Sequence, residues 1–240
     1  MNKGVKVDLG VIEIKCQSEQ VYCVADLHLC ASRPHEILDF ANEVISQIES
    51  HSLLVILGDL FDVYIGAEDL RQSAFRPMFE AFDTFAQTGR VIVVRGNRDV
   101  LLSPRDLADV SFEVADVVVN EADSHRTLYT HGDAFCTADR AYQRLRKILR
   151  NRGVRLLLRM LPGALRRRIG ARMRKLSAQE VARKEISALE VNYSAVAATA
   201  EAYAAQTVII GHLHSQQRLD VAVNCELRVL SAWQPRLTNA

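Results

Sequence analysis

Short apolar runs alternate with amphipathic stretches along most of this chain. Runs typical of β-strands cover residues 5–15, 20–25, 53–57, 91–94, 117–119, 127–130, 207–210, 219–223 and 227–230. Two intervening stretches carry apolar residues at helical spacing: Ile37, Phe40, Val44, Ile45 and Ile48 in the first, and Phe75, Met78, Phe79, Phe82 and Phe85 in the second. We interpret the Phe and Met stripe as core, with Gly89 ending its helix. The Ser103-Pro104 pair predicts a further short helix.

The pattern changes after the run that ends at residue 130. From residue 138 to 205 it is helical throughout, with predicted breaks at Gly153 and at Pro162-Gly163. Alternating strands and helices on either side favour an α/β layered fold. We therefore predict a core formed by residues 1–137 and 206–240, with residues 138–205 as a helical lid insertion.

Composition is ordinary for a globular protein, at 49% apolar and 25% charged residues. The five cysteines are odd in number and scattered, which is typical of reduced core thiols in a cytosolic protein. The first ten residues lack the apolar run of a secretion signal, and no window approaches 18 uninterrupted apolar residues. We expect a cytoplasmic protein that does not span a membrane.

Charge is unevenly distributed although the net charge is only +1. The stretch from Arg140 to Lys175 holds 14 of the 30 basic residues and no acidic one. Near its end, an apolar stripe is formed by Leu165, Ile169, Met173 and Leu176. The opposite helix face is basic and carries Arg166, Arg167, Arg168, Arg172, Arg174 and Lys175. This pattern suits attachment to an anionic membrane surface or the wall of an acyl-chain cleft, and equally a solvated face over a packed helical hairpin. A nucleic-acid site is disfavoured, because Tyr142 is the single aromatic residue in the stretch.

Polar motifs follow five of the predicted strands. They are Asp26-Leu27-His28, Gly58-Asp59, Gly96-Asn97-Arg98-Asp99, His131-Gly132-Asp133 and Gly211-His212-Leu213-His214. Each alone is compatible with a simple turn or a core histidine, but together they place chemistry at the carboxyl ends of strands, where α/β sheets bind ligands. Three oxygen donors and four imidazoles suit Mn²⁺, Fe or Zn²⁺ better than Ca²⁺.

Seven donors exceed what one ion needs, so we predict two divalent ions with Asp59 as the shared carboxylate. The metal ligands are then Asp26, His28, Asp59, Asn97, His131, His212 and His214. Two ions about 3.5–4 Å apart can bind a phosphoryl oxygen jointly and lower the pKa of a shared water.

The ordered set D-x-H, G-D-x-x-D, G-N-R-D, H-G-D and G-H-x-H resembles the calcineurin-like metallophosphoesterase superfamily. The resemblance implies a four-layer αββα sandwich. It also implies that Asp26, His28, Asp59 and His214 hold one ion, and that Asp59, Asn97, His131 and His212 hold the other. Asp62 and Asp99 would orient these ligands.

Arg98 stands where most of this superfamily has histidine. A guanidinium group keeps its proton at working pH, so it can bind phosphate but cannot act as a general acid. The Gly-Asn-Arg-Asp motif is similar to that of the UDP-2,3-diacylglucosamine hydrolases of lipid A biosynthesis. Further stretches are similar too: residues 25–30, 57–61, 131–139 and 171–174, with Val191-Asn192 and Ala232-Trp233.

That resemblance implies water attack on the α-phosphorus of a lipid-linked nucleotide sugar, releasing UMP and 2,3-diacylglucosamine 1-phosphate. It implies catalytic roles for Arg98, Asp59, Asn97 and His131, and a substrate pocket of Asn97, Arg98, Asp139, Tyr142, Ser177, Lys184 and His212. We expect Mn²⁺ as the metal, and peripheral attachment to the inner leaflet of a membrane without nucleic-acid binding. Leu213, Gln216, Val181 and Ser231 depart from the family pattern.

Two other interpretations stay open. The same core could act on another nucleotide-linked lipid or phosphodiester. A non-catalytic module that binds RNA or acidic lipid through residues 140–175 is the second, but it leaves seven intact metal ligands without a role.

Overall fold

The computed structural model describes residues 12–18, 20–181 and 190–235, with the backbone alone of residues 173–181. The strands are β1 Glu13–Cys16, β2 Val21–Val24, β3 Leu53–Leu57, β4 Arg90–Val94, β5 Glu113–Ala115, β6 Val117–Ala122, β7 His125–Thr130, β8 Thr207–Ile210, β9 Gln217–Ala222 and β10 Cys225–Val229. The α-helices are α1 Pro34–Asp39, α2 Ala67–Leu70, α3 Arg76–Phe85, α4 Arg140–Arg150, α5 Arg152–Met160, α6 Gly163–Val181 and α7 Tyr193–Tyr203.

The first sheet has four parallel strands in the order β2-β3-β4-β5. Strand β3 is apolar at every position because the sheet is covered on both faces. On the outer face, the side chains of Leu54 and Ile56 belong to one buried cluster with Phe79 and Phe82 of α3 and with Phe40, which directly follows α1. The predicted core role of the Phe and Met stripe is therefore confirmed.

The second sheet has six strands in the order β1-β6-β7-β8-β10-β9 and mixes parallel with antiparallel pairs. Its inner face meets the first sheet through a shared cluster that includes Val55, Ile92, Val118 and Tyr129. Two sheets packed face to face in this way form the centre of the molecule.

Helix α7 covers the outer face of the six-stranded sheet. Its Val196 and Ala200 are buried in a cluster with Leu128, Val208 and Leu227. The layers therefore run helix, sheet, sheet, helix, which confirms the expected four-layer sandwich. Helix α7 lies within residues 138–205, which the sequence assigned to the lid. That residues 138–205 form a separate lid insertion therefore stays a prediction.

Local boundaries depart from the sequence pattern in three places. Strand β5 has three residues and was not predicted, because so short a run carries no clear alternation. The predicted helix through Ile48 is α1 followed by a wide π-helical turn at Phe40–Val44 and a 3₁₀ turn at Ile45–Gln47. The break predicted at Gly153 is wrong. It lies at Asn151, whose side chain accepts hydrogen bonds from the backbone N–H groups of Gly153 and Val154 and so begins α5.

Helices α4, α5 and α6 are fastened to the core by arginines. The pairs are Arg146 with Asp133, Arg150 with Asp116, Arg159 with Asp106, and Arg166 with Glu68. Arg166 also donates to the backbone oxygen of Ile65 at 2.8 Å. The prediction that Arg166 belongs to a basic outer face is therefore wrong, because its guanidinium points into the molecule. Arg167, Arg168 and Arg172 are exposed. Among the described residues, no helix is long and apolar enough to cross a membrane.

Candidate metal centre and substrate cleft

The five polar motifs follow β2, β3, β4, β7 and β8, as the sequence predicted. Parallel pairing brings β2, β3 and β4 to a common end of one sheet, and β7 and β8 to a common end of the other. Ligand atoms of Asp26, His28 and His214 lie within 4.8 Å of one another, as do those of Asp26, Asp59 and His131. Both sheets thus contribute to one cluster.

The remaining predicted ligands adjoin this cluster. His131 Nε2 lies 3.0 Å from Asn97 Oδ1, and His28 Nε2 lies 3.3 Å from His214 Nε2. The ring of His212 packs edge-on against that of His131, with ring centres 4.9 Å apart. All seven predicted ligands therefore converge.

The backbone at this cluster is unusual. Asp26, His28, Asp59, His212 and His214 have φ between 49° and 68°, the left-handed region that non-glycine residues seldom adopt. The motif glycines permit close approach of the ligands. A Cβ on Gly96 would lie 2.0 Å from Asp59 Oδ1, and one on Gly211 would lie 2.6 Å from Asp26 Oδ2. Strain of this kind concentrates at functional sites.

Two buried polar atoms of the cluster lack hydrogen-bond partners, which fits a bound cation. Asp26 Oδ1 and His28 Nδ1 are buried without a hydrogen-bond partner. His131 Nδ1 donates to the backbone oxygen of Leu57 at 2.9 Å, so its Nε2 is left to face Asn97 Oδ1. Lone pairs that converge without a donor are compensated by a metal ion. The donor set, carboxylates with imidazoles and an amide, fits divalent transition metals.

Without metal, the imidazoles differ in charge. Burial and the Arg98 charge lower the pKa of His28 to about 4, and burial with the neighbouring His131 lowers the pKa of His212 to about 4. Burial alone would lower the pKa of His131, but Asp59 and other buried carboxylates raise it to about 9. Burial also raises the pKa of Asp59. The metal-free centre therefore holds a proton on His131, at the side where the lone pairs of Asn97 and Asp59 meet.

Buried carboxylates brace the ligand loops. Asp99 is fully buried and accepts from the backbone N–H groups of Gly96 at 2.6 Å and Leu60 at 2.9 Å. Asp62 accepts from Arg98 NH1 at 3.4 Å, and the backbone N–H of Arg98 donates to Asp59 Oδ1 at 2.9 Å. Asp99 thus fixes the loop that carries Asn97, while Asp62 holds the Arg98 side chain beside Asp59.

A cleft with a cavity volume of about 140 Å³ leads away from the cluster. Asn97 and Arg98 are among its polar lining residues. Its walls are largely apolar and come from the core and from the three helices α4, α5 and α6: Val63, Ile65, Val100, Leu101, Leu145, Leu149, Leu158 and Ile169. Three of the helices in the stretch that the sequence assigned to a lid therefore form one side of this cleft.

Two of the other predicted substrate residues, Asp139 and Tyr142, lie at the start of α4. Asp139 caps α4 by accepting from the backbone N–H of Tyr142 at 3.0 Å. The Tyr142 ring stacks on that of His212, with centres 6.3 Å apart. The side chain of Ser177 and all of Lys184 lie outside the described residues.

The sequence profile of the calcineurin-like phosphoesterase family matches residues 20–216. The chain belongs to the calcineurin-like phosphoesterase family. The matched region begins at β2 and ends just after His214, so it contains all seven predicted ligands. Members of this family are metal-dependent hydrolases, and the cluster supplies candidate ligands for divalent ions. The expected fold and enzyme class are thus confirmed.

Curated relatives resemble the chain over nearly its whole length. A protein of Ralstonia nicotianae named UDP-2,3-diacylglucosamine hydrolase is 36% identical over 235 residues, covering 91% of this chain and 87% of that protein. Proteins of the same name from Shigella dysenteriae and Escherichia coli are each 33% identical over 215 residues, covering 88% of this chain and 89% of each relative. The helical block is therefore shared along with the core.

Residues that join α4 to the metal cluster were missed by sequence reasoning. Asp133 appeared there as part of the His-Gly-Asp motif without a role, and Arg146 and Arg150 as part of a basic block. In the fold, Tyr142 Oη and Arg146 Nε each donate to Asp133 Oδ2 at 2.7 Å. The available signal was the spacing of Tyr142, Arg146 and Arg150, which places all three on one helix face.

Proposed function

We propose that this protein is a dinuclear pyrophosphohydrolase that cleaves UDP-2,3-diacylglucosamine at the α-phosphorus. The products are UMP and 2,3-diacylglucosamine 1-phosphate, an intermediate of lipid A biosynthesis. The observation that carries the proposal is one cleft lined both by Asn97 and Arg98 and by apolar side chains of α4, α5 and α6. A substrate with a phosphate near two acyl chains matches both kinds of lining. The names of the curated relatives support the same substrate.

Asp26, His28, Asp59 and His214 are proposed to hold one divalent ion, and Asp59, Asn97, His131 and His212 the other. Mn²⁺ is the proposed metal. Two such ions, when bound, neutralise phosphoryl charge and make hydroxide available near neutral pH. The backbone oxygen of Leu57 accepts a hydrogen bond from His131 and so orients its ring for metal binding.

Arg98 is proposed to bind the phosphate that is attacked. Its side chain is 30% exposed and reaches the cleft while Asp62 and Asp59 lie 3.4 Å and 3.8 Å from its nitrogens. These carboxylates set the direction of the guanidinium before substrate arrives. Paired hydrogen bonds from arginine would then stabilise charge that grows on the phosphoryl oxygens.

The sugar and its phosphate are proposed to contact Asp139, Tyr142, Ser177, Lys184 and His212. Of these, Tyr142 lines the cleft and stacks on His212. An aromatic ring beside a metal ligand restricts the space from which a phosphate can approach. Tyr142 would therefore orient the substrate as well as bind it.

Peripheral attachment to the inner leaflet is proposed for the outer side of α5 and α6. Leu157 and Met160 are 65% and 73% exposed, and Leu156 and Leu165 are also exposed. Arg152, Arg167 and Arg168 lie exposed on the same helices. Apolar side chains flanked by arginines suit an anionic membrane surface, from which a lipid substrate could enter the adjacent cleft.

The deciding experiment measures UMP release by mass spectrometry from UDP-2,3-diacylglucosamine in micelles, from soluble UDP-sugars and from bis(p-nitrophenyl) phosphate. We expect Mn²⁺-dependent release from the lipid, and loss of this activity in His131→Ala. His35→Ala, a change at an exposed histidine of α1, is the matched control.

Full activity in His131→Ala or after chelation would refute the proposal. Turnover of the aryl ester without the lipid would indicate another phosphodiester substrate. No turnover of any of the three would favour a non-catalytic binding module.

A further inference from the structure

Asp133 is a buried carboxylate outside the predicted metal ligands, and it bonds several residues of one helix. It lies in the turn Asp133–Phe135 after His131, is 1% exposed, and belongs to neither of the donor groups found among the described residues. Its Oδ2 accepts from Tyr142 Oη and Arg146 Nε, each at 2.7 Å, and its Oδ1 lies 3.8 Å from Arg150 NH2. The carboxylate oxygens of Asp133 thus contact side chains of α4 rather than the metal cluster.

The side chains that face the Asp133 carboxylate stand on one face of α4. Tyr142, Arg146 and Arg150 are spaced by four residues, and Gln143 adds a bond from its Nε2 to the backbone oxygen of Asp133 at 2.8 Å. Hydrogen bonds from Tyr142 and Arg146 therefore tie more than one turn of α4 to this single core residue, and Arg150 lies near it one turn further on. Charge-assisted bonds in a buried setting are the strong ones, and a buried charge that loses its partners is costly.

The held face of α4 is also a wall of the cleft. Tyr142, Leu145, Arg146, Leu149 and Arg150 line the cavity. Tyr142 reaches the metal cluster as well, through its stacking on His212. Movement of α4 would therefore change the width of the apolar cleft and the position of the Tyr142 ring together.

We infer that Asp133 is a positioning residue that sets α4 against the metal centre and so fixes the lipid-binding cleft. The inference deepens the proposed function and rests on it for the identity of the lipid. Asp133 acts through Tyr142 and Arg146 and does not touch the reacting atoms. Its effect should therefore be larger for a substrate that fills the cleft than for one that needs the metals alone.

The test compares Asp133→Asn, Arg146→Gln and the double variant with the wild type. Kinetics are measured with UDP-2,3-diacylglucosamine in micelles and with bis(p-nitrophenyl) phosphate, and Mn²⁺ stoichiometry is measured in each protein. We expect kcat/KM for the lipid to fall roughly 10- to 150-fold through KM, the range for loss of a charge-assisted hydrogen bond. The loss with the aryl ester should be at least about tenfold smaller, because that ester needs no apolar wall.

Three features distinguish positioning from other roles. The double variant should lose no more than the larger single loss, since both changes break one contact. Asp83→Asn, the same chemical change on the exposed side of α3, should leave both activities at the wild-type level. Equal losses on both substrates, or loss of a metal ion from Asp133→Asn, would place Asp133 at the metal centre and overturn the inference.

Hydrogen exchange supplies a readout that does not depend on the substrate. In Asp133→Asn the amides of residues 140–150 should exchange faster than in the wild type, while those of β3 and β4 keep their protection. Unchanged exchange in α4 would overturn the inference. Wild-type protein that leaves the lipid intact would refute the proposed function, and the exchange experiment would still decide whether Asp133 holds α4.

Discussion

Gly96→Ala is the sharpest test of the metal centre. A Cβ at this position would lie 2.0 Å from Asp59 Oδ1 and 2.6 Å from the Asp59 backbone nitrogen. An ordinary contact needs at least 3.4 Å, so the carboxylate oxygen must move by about 1.4 Å, the difference between 3.4 Å and 2.0 Å. Metal–ligand distances tolerate only about 0.2 Å. Because Asp59 is proposed to touch both ions, the variant should lose affinity for both.

The stability cost can be estimated from the same contacts. Overpacking costs about 1–3 kcal/mol. Loss of the hydrogen bond from the Arg98 backbone N–H to Asp59 Oδ1, which measures 2.9 Å, adds about 1–3 kcal/mol. The sum, roughly 2–6 kcal/mol, is a large part of the about 5–15 kcal/mol that folds a typical domain.

Urea unfolding with and without Mn²⁺, together with metal analysis, measures both effects. Gly153→Ala is the matched control, because Gly153 lies exposed in the first turn of α5 and its added Cβ would come no closer than 3.3 Å to Asn151 Oδ1. That change should be neutral or stabilise by up to about 1 kcal/mol. Gly96→Ala that binds two ions with wild-type affinity would refute the assignment of Asp59 as the shared ligand.

Two further predictions concern protons and membranes. Carboxylates raise the pKa of His131 to about 9 in the metal-free protein, so at pH 7.5 Mn²⁺ binding should release about one proton from it, and affinity should rise with pH up to about 9. Calorimetric titration in two buffers of different ionisation enthalpy measures this, and metal uptake without proton release would contradict it. Leu157→Glu should weaken binding to anionic vesicles roughly tenfold in a sedimentation assay. The change replaces an apolar side chain that is 65% exposed, and so free to enter the lipid, with a charged one. Val223→Glu, at a residue 93% exposed in the β9–β10 turn, is the control, and equal weakening by both changes would count against this membrane face.

The metal cluster was predictable because its signal is local. Asp59, Asn97 and His131 each follow an apolar strand, and parallel strands bring their carboxyl ends together without further information. The contacts of the basic helices were not predictable. Arg159 meets Asp106 and Arg166 meets Glu68 across separations of 53 and 98 residues, so no local pattern could indicate that these charges turn inward.

Helix α7 shows the same limit. Its sequence is helical like that of the three helices before it, and periodicity alone could not assign it to a different layer. Burial of Val196 and Ala200 against the six-stranded sheet decides its place. Strand β5 owes its three residues to pairing with β4, which is again a contact distant in sequence.

The left-handed backbone at the predicted ligands has an evolutionary consequence. Each such residue costs of order 1–3 kcal/mol, and glycine would adopt the same φ at little cost. At His214, where φ is 54° and the side chain is 49% exposed, replacement by glycine would relieve the chain while removing a ligand. Selection for stability alone would therefore favour glycine at such positions and remove the predicted ligands. Histidine and aspartate persist at such positions only while the activity of the centre is itself under selection.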